Sequence, residues 1–221
     1  MRLNRIFHYG ILLQNGLEPP SRRRDMEAME LLKRKILEEG RILSDQVLNV
    51  NTFLNHGVDP SLIAEMGKTF AALFREEGVT RVVTIESSGI AIAYATAYEL
   101  GVPLVYARRR KALMNEGEYY AERVPSFTKG IVTDIVISKH LLLPGDRILF
   151  IDDFIANGDA AKGLLRIVER SGAVLVGVGI AIEKAFQQGG QYLREAGCRV
   201  ESLARIASLT GGNIVFADDL H

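Results

Sequence analysis

The 221-residue chain is short of three features, and each shortage excludes a class of protein. It has a single cysteine, Cys198, so no intramolecular disulfide can form, which fits a reducing cytoplasm. A lone thiol outside any partner motif reads as packing rather than catalysis. It has no excess charge of either sign: 27 Lys+Arg stand against 27 Asp+Glu, unlike the basic face of a general nucleic-acid binder. It has no apolar run near the ~20 residues that cross a bilayer. The stretch through Leu13 is short, broken by His8 and followed by no small-residue cleavage site, which makes a poor signal peptide. The expectation is a cytoplasmic protein with neither a nucleic-acid nor a membrane partner. What is present is ordinary for a globular chain, 48% hydrophobic and 24% charged. The length suits one α/β domain, or a domain with a small addition.

Residues 1–28 stand apart from the rest. Pro19, Pro20, Ser21 and Arg22-Arg23-Arg24 form a turn-and-charge stretch, read as a loosely ordered N-terminal extension to a domain over 29–221. A helix follows with Leu31, Leu32, Ile36 and Leu37 on one face, closed by Gly40. Residues 41–60 are mixed. A second helix covers about 60–77, with Pro60 near its start and Leu62, Met66, Phe70 and Leu73 facing inward. Short apolar runs then alternate with helices: a run at 81–85, the turn Ser87-Ser88-Gly89, a helix at 90–100, and runs at 102–106 and 147–151. A helix at 158–171 and a run at 173–182 follow. Runs that are apolar on both faces, with helices between them, indicate a mainly parallel sheet covered on both sides. Residues 108–140 break this rhythm, opening with Arg108, Arg109, Arg110 and Lys111 and closing in an alternating strand at 131–138. So long an insertion between sheet strands is functional or disordered, and it is expected to be flexible.

The chemistry concentrates in Ile148-Leu149-Phe150-Ile151-Asp152-Asp153-Phe154-Ile155-Ala156-Asn157-Gly158-Asp159-Ala160-Ala161. An apolar strand ends in two acids, and a small-residue loop opens a helix. In open α/β sheets ligands sit beyond the carboxyl ends of strands, and backbone N–H groups at a helix N-terminus suit a phosphate. Carboxylates accept hydrogen bonds from hydroxyls. Acids beside a phosphate cradle therefore suggest a ribose phosphate. Adjacent acids also serve as helix caps; the loop favours a site. The Gly-Lys-Ser/Thr ending of a Walker loop and the Gly-x-Gly-x-x-Gly of a dinucleotide fold are both absent.

This stretch resembles the phosphoribosyl-pyrophosphate (PRPP) motif of type I phosphoribosyltransferases. Other segments narrow the resemblance, over about 29–216, to the bacterial xanthine phosphoribosyltransferases. They are Leu43-Ser44-Asp45-Gln46 leading to Phe53-Leu54-Asn55, Glu86-Ser87-Ser88-Gly89-Ile90-Ala91, Glu183-Lys184-Ala185-Phe186-Gln187, and 200–206. The resemblance implies the type I phosphoribosyltransferase fold, a central sheet flanked by helices with a hood subdomain. It implies a homodimer that turns xanthine and PRPP into xanthosine 5′-monophosphate and pyrophosphate, with Mg²⁺ arriving on the pyrophosphate rather than on a protein metal site. Ala156, Asn157, Gly158, Asp159 and Ala160 would take the 5′-phosphate. Asp152 and Asp153 would be catalytic, facing the ribose. Ser87, Ser88 and Arg108 would lie by the pyrophosphate. Leu48, Asn55, Lys184 and Phe186 would meet the purine, and Lys184 as a donor favours an oxopurine over adenine. Its bland alternative is a strand-end salt bridge with Glu183. Ala156 stands where some purine transferases carry an Asp, so no general base is assigned. The remaining alternatives are another purine phosphoribosyltransferase or a non-catalytic PRPP-sensing regulator. The neutral total charge also conceals a basic stretch at 108–129, six basic residues against three acidic, on a mildly acidic body.

Overall fold

The computed structural model describes residues 20–110, 117–126 and 131–219. Expectations placed on residues 1–19, Lys111, Phe127, Thr128 and Lys129 lie outside the described residues. Helix α1 (Pro20–Glu39) begins inside the stretch read as loose; proline is well suited to a first helical position because its missing N–H would have no partner there. Of the four residues expected on its inner face, Leu32 and Ile36 are fully buried, but Leu37 is 59% exposed. The buried stripe is Ala28, Leu32 and Ile36 at i, i+4 spacing, and Leu37 lies off that row.

The mixed stretch 41–60 resolves into an antiparallel ribbon of β1 (Arg41–Ser44) and β2 (Val47–Asn49), followed by a π-helical turn at Asn51–Asn55. Helix α2 (Pro60–Phe74) follows, capped by Asp59, whose carboxylate accepts from the N–H groups of Ser61 and Leu62 at 3.0 and 3.1 Å. Then come β3 (Arg81–Ile85), α3 (Ile90–Leu100), β4 (Leu104–Arg110), β5 (Tyr119–Ser126), β6 (Ile131–Ser138), β7 (Arg147–Ile155), α4 (Asp159–Ser171), β8 (Val174–Lys184), α5 (Gly189–Glu195), β9 (Val200–Ser208) and β10 (Val215–Phe216). The insertion thus holds two strands. The alternating one at 131–138 was expected; β5 was not.

The main sheet runs β10-β9-β8-β7-β3-β4-β6-β5. Its five central strands, β9 to β4, are parallel, and the edges are antiparallel. Strand β7 feeds both layers. Leu149 and Ile151 join the core under α1, α2 and α3, while Ile148 and Phe150 join the one under α4 and α5. Among the described residues, no helix is long and apolar enough to cross a membrane. Cys198 is half-buried, and burial raises its thiol pKa, which keeps it protonated.

Strand β8 carries Gly177 and Gly179 where α2 lays its aromatics. A Cβ on Gly179 would stand 2.7 Å from the Phe70 ring and 2.6 Å from Ile151. The bare backbone is the seat for a ring that is fully buried. Phe70→Ala should cost about 3–5 kcal/mol by cavity formation, and Gly179→Ala about 1–3 kcal/mol by overpacking. In urea denaturation the double variant should lose less than the sum of the two; strict additivity would mean that the contact does not set the packing.

Candidate active site

Three neighbouring parallel strands, β4, β3 and β7, end at the same edge and leave a cavity of about 380 Å³. From β7 come Asp152, Asp153 and Phe154, then Ala156, Asn157, Gly158, Asp159 and Ala160 from the loop and the first turn of α4. The turn after β3 supplies Glu86 and Ser88, β4 supplies Arg109, and β5 contributes Val124 and Pro125. No side chain caps α4, and Gly158 precedes it at φ +79°. Such a backbone strongly favours glycine, and the uncapped N–H groups of the first turn are suited to an anion.

The β3–α3 turn is bolted to β4 through one carboxylate. Glu86 Oε1 accepts from the Arg109 backbone N–H at 2.6 Å, and Glu86 Oε2 lies 2.7 Å from Arg108 Nε. Arg109 Nε donates to the Glu86 carbonyl at 3.3 Å. The Glu86–Ser87 peptide is cis. Along a strand, consecutive side chains take opposite sides. Arg109 lines the cavity, whereas Arg108 is 64% exposed and spent on Glu86. Ser88 lines the cavity and Ser87 does not.

The two acids differ. Asp153 is 7% exposed. Asp152 is wedged under the β3–α3 turn: a Cβ on Gly89 would fall 2.6 Å from Asp152 Oδ1 and 2.5 Å from Thr84 Oγ1. Burial, and then the neighbouring Asp153, push the Asp152 carboxyl well above the usual carboxylate range, although Arg109 pulls the other way. Beside it, the buried Thr84 hydroxyl has no hydrogen-bond partner in the structure. Of these two residues Asp152 lines the cavity, whereas Thr84 lies beneath the turn and does not.

Lys184 ends β8 beyond Phe154, its Nζ 5.7 Å from the ring centroid. It does not pair with Glu183, so the salt-bridge alternative fails. Its Nζ donates to the backbone carbonyl of Gln46 at 2.6 Å, and burial lowers its pKa. Gln187 Nε2 donates to Gln46 Oε1 at 2.8 Å. The β1–β2 turn therefore closes over the end of β8. Leu48, on the same ribbon, is buried in the core; Phe186 is partly buried against that core; Asn55 is exposed at the end of the π-helical turn. None of these four lines the cavity. Residue-by-residue reading missed Arg109, Phe154, Glu86 and Gln46. Arg109 and Phe154 become visible once strand alternation at β4 and β7 is known, and Glu86 once its turn is seen to bond the main chain of β4. Gln46 meets Lys184 through its main chain, a contact its residue type does not signal.

Glu183 points the other way and is 2% exposed. Arg194 meets it with two bonds of 2.7 Å, Ser202 Oγ donates at 2.6 Å, and Arg205 Nε lies 3.3 Å away. Burial alone would raise its pKa, but Arg194 and Ser202 outweigh it and hold it below the ordinary value. A depressed carboxylate contributes stability above its unfolded pKa and loses it as pH falls through the folded one. Arg194→Ala, which strands a buried charge, should cost about 3 kcal/mol at pH 7. Glu183→Gln should flatten the acid limb of the stability profile; calorimetry across pH 3–7 that leaves this limb unchanged would show the cluster to be neutral.

The Phosphoribosyl transferase domain model matches residues 59–214. A xanthine phosphoribosyltransferase of Bacillus mycoides is 54% identical over 188 residues, covering 85% of this chain and 95% of that protein. One from Moorella thermoacetica is 52% identical over 191 residues, 86% of this chain and 97% of that protein. Among solved structures, adenine phosphoribosyltransferase from Rhodothermus marinus superposes with a TM-score of 0.66 at 28% identity, covering 81% of this chain and 99% of that one. The Giardia lamblia enzyme with 9-deazaadenine gives 0.68 at 20% identity over 79% and 97%, a likeness of fold alone. The parallel sheet, the paired acids at its carboxyl edge and these matches agree: the chain belongs to the phosphoribosyltransferase family.

Proposed function

We propose that the chain is a purine-salvage enzyme that converts xanthine and PRPP to xanthosine 5′-monophosphate and pyrophosphate. The observation that carries the reading is the identity above 50% to xanthine phosphoribosyltransferases over nearly their whole length. The uncapped start of α4 supports the loop at 156–160 as the seat of the 5′-phosphate. Arg109 and Ser88 face the same cavity from the opposite side and suit the pyrophosphate. As the bond from the ribose carbon to pyrophosphate breaks and a purine nitrogen bonds to that carbon, positive charge grows on the ribose. Asp153 is the buried carboxylate at that edge and stabilises it. Lys184, with no carboxylate partner among the described residues, serves as donor to a purine carbonyl, and Phe154, which lines the cavity, has its ring 5.7 Å from the Lys184 ammonium. Adenine, the base named by the structural neighbours, presents an amino group where Lys184 has protons to give.

Among the described residues, no three His, Cys, Asp or Glu side chains gather into a metal cage. The adjacent acids on a polar cavity nevertheless fit Mg²⁺, which binds through one or two carboxylates and completes its shell with substrate phosphates. Carried in on the pyrophosphate, it would meet the carboxylate edge at Asp152 and Asp153 without a dedicated protein cage, and it would supply Lewis-acid neutralisation of the departing pyrophosphate. A homodimer is supported by an unpartnered aromatic face on α3, where Tyr94 and Tyr98 stack at 6.5 Å while 62% and 74% exposed. A lone cysteine supports a cytoplasmic setting.

A spectrophotometric assay with PRPP, Mg²⁺ and each of xanthine, guanine, hypoxanthine and adenine tests the reading. Xanthine should turn over best; turnover of adenine without xanthine refutes it, and PRPP binding without any turnover favours a regulator. Asp153→Asn should lower kcat about 10²–10³-fold, the scale of one lost electrostatic stabiliser, and Asp152→Asn less, because burial and the neighbouring Asp153 already oppose the charged form of Asp152. Lys184→Ala should raise KM for xanthine about 10–100-fold, the scale of a hydrogen bond to a charged group, with KM for PRPP little changed. Light scattering should return twice the monomer mass, and Tyr98→Glu should halve it.

A further inference from the structure

The phosphate loop and the segment that carries Lys184 meet at two glycines. Gly189, the first residue of α5, donates its N–H to the Ala156 carbonyl at 2.9 Å. A Cβ on Gly189 would lie against that same carbonyl, 2.7 Å from Gly158 N and 2.9 Å from Ile155 Cγ1. From the other side, a Cβ on Gly158 would fall 2.9 Å from Gly189 Cα. Two of the three atoms crowding Gly189 are backbone and belong to the loop itself, so no side-chain rotation relieves the contact. Real Cβ atoms essentially never sit that close, so the loop would have to move. One residue on, Gly190 abuts the carboxylate of Glu183, next to Lys184 in the chain. One turn on, Tyr192 receives the Lys162 ammonium of α4 4.3 Å from its ring centroid. Helix α5 thus touches the loop, the helix behind the loop and the end of β8.

We propose that Gly189 is a positioning residue for the phosphate loop: its N–H and its bare Cα set where Ala156 to Gly158 lie, and join that loop to the purine-facing end of β8. The inference rests on the reading of 156–160 as the 5′-phosphate site. Gly189 touches no reacting atom; it acts through the backbone of the loop. A displacement of the loop by about half an ångström or more, which a methyl group against the Ala156 carbonyl demands, would misalign several N–H donors at once, and positioning errors of that kind are costly to catalysis.

The test uses the full chain. Gly189→Ala should raise KM for PRPP and the equilibrium Kd for ribose 5-phosphate at least tenfold, while KM for xanthine changes less than threefold. Equal changes in both KM values, or an unchanged Kd for ribose 5-phosphate, overturn the proposal. Ala160→Asp, which puts a negative charge into the loop itself, separates the two readings. If it leaves ribose 5-phosphate binding intact, the phosphate-loop reading fails. If it abolishes binding and Gly189→Ala does not weaken it, the positioning role alone fails. Should Gly189→Ala not fold, hydrogen exchange on the unsubstituted protein decides. Ribose 5-phosphate should slow the amides of 189–193 together with those of 154–160. Slowing confined to 154–160 overturns the coupling, and slowing of neither overturns both readings.

Discussion

The pairing of β7 with β8 holds the site together. In this parallel ladder Asp152 lies beside Ile180, Phe154 beside Ile182 and Ile155 beside Glu183. The acids and the ring on one strand are thereby set against the run that ends in Glu183 and Lys184 on the next. The pairing shifts register once, between Ile148 and Leu149, and runs unshifted from there to Ile155, so a slip of one position would turn this whole set to the other face. The register is defended by burial on both faces. Ile148 and Phe150 are locked below, Leu149 and Ile151 above, and all four are fully buried.

Charge is distributed to suit that geometry. Beneath the sheet edge Glu183 is saturated by Arg194, Ser202 and Arg205, which releases Lys184 from its nearest acid. Across the cavity, Glu86 consumes Arg108 and leaves Arg109 facing inward. In the first place Arg194 and Arg205 occupy the acid next to Lys184; in the second Arg108 occupies Glu86 while Arg109 lines the cavity. A neutral chain can therefore present local positive charge to a polyanion without becoming basic overall.

The parallel sheet was legible because strands buried on both faces read as unbroken apolar runs, and 81–85, 147–151 and 173–182 are such runs. The paired acids and the loop were legible because two carboxylates beside a small-residue loop that opens a helix match the hydroxyls and phosphate of one ligand. Strand β5 was not, because its sequence Tyr-Tyr-Ala-Glu-Arg-Val-Pro-Ser places charge and proline where a central strand would have Val or Ile. Leu37 misled because an apolar residue one step off a helical stripe looks much like a member of it. Within Arg108-Arg109-Arg110, which arginine faces the cavity depends on the phase of the strand, and three identical residues carry no phase. Gln46 meets Lys184 through its carbonyl oxygen, an atom every residue possesses.

Among the described residues strand β5 ends the sheet on one side, so the row of main-chain groups on its outer flank lies at the margin. An edge of that kind can recruit strands from other molecules. Here Pro125 removes one N–H from the row, Arg123 is 80% exposed beside Asp134, and Glu122 is gripped by Arg166 and Arg170 of α4. The wall of the cavity is thus also a barrier to fibril growth. The pair β5 and β6 can remain at the margin of the sheet without serving as a template for strand addition.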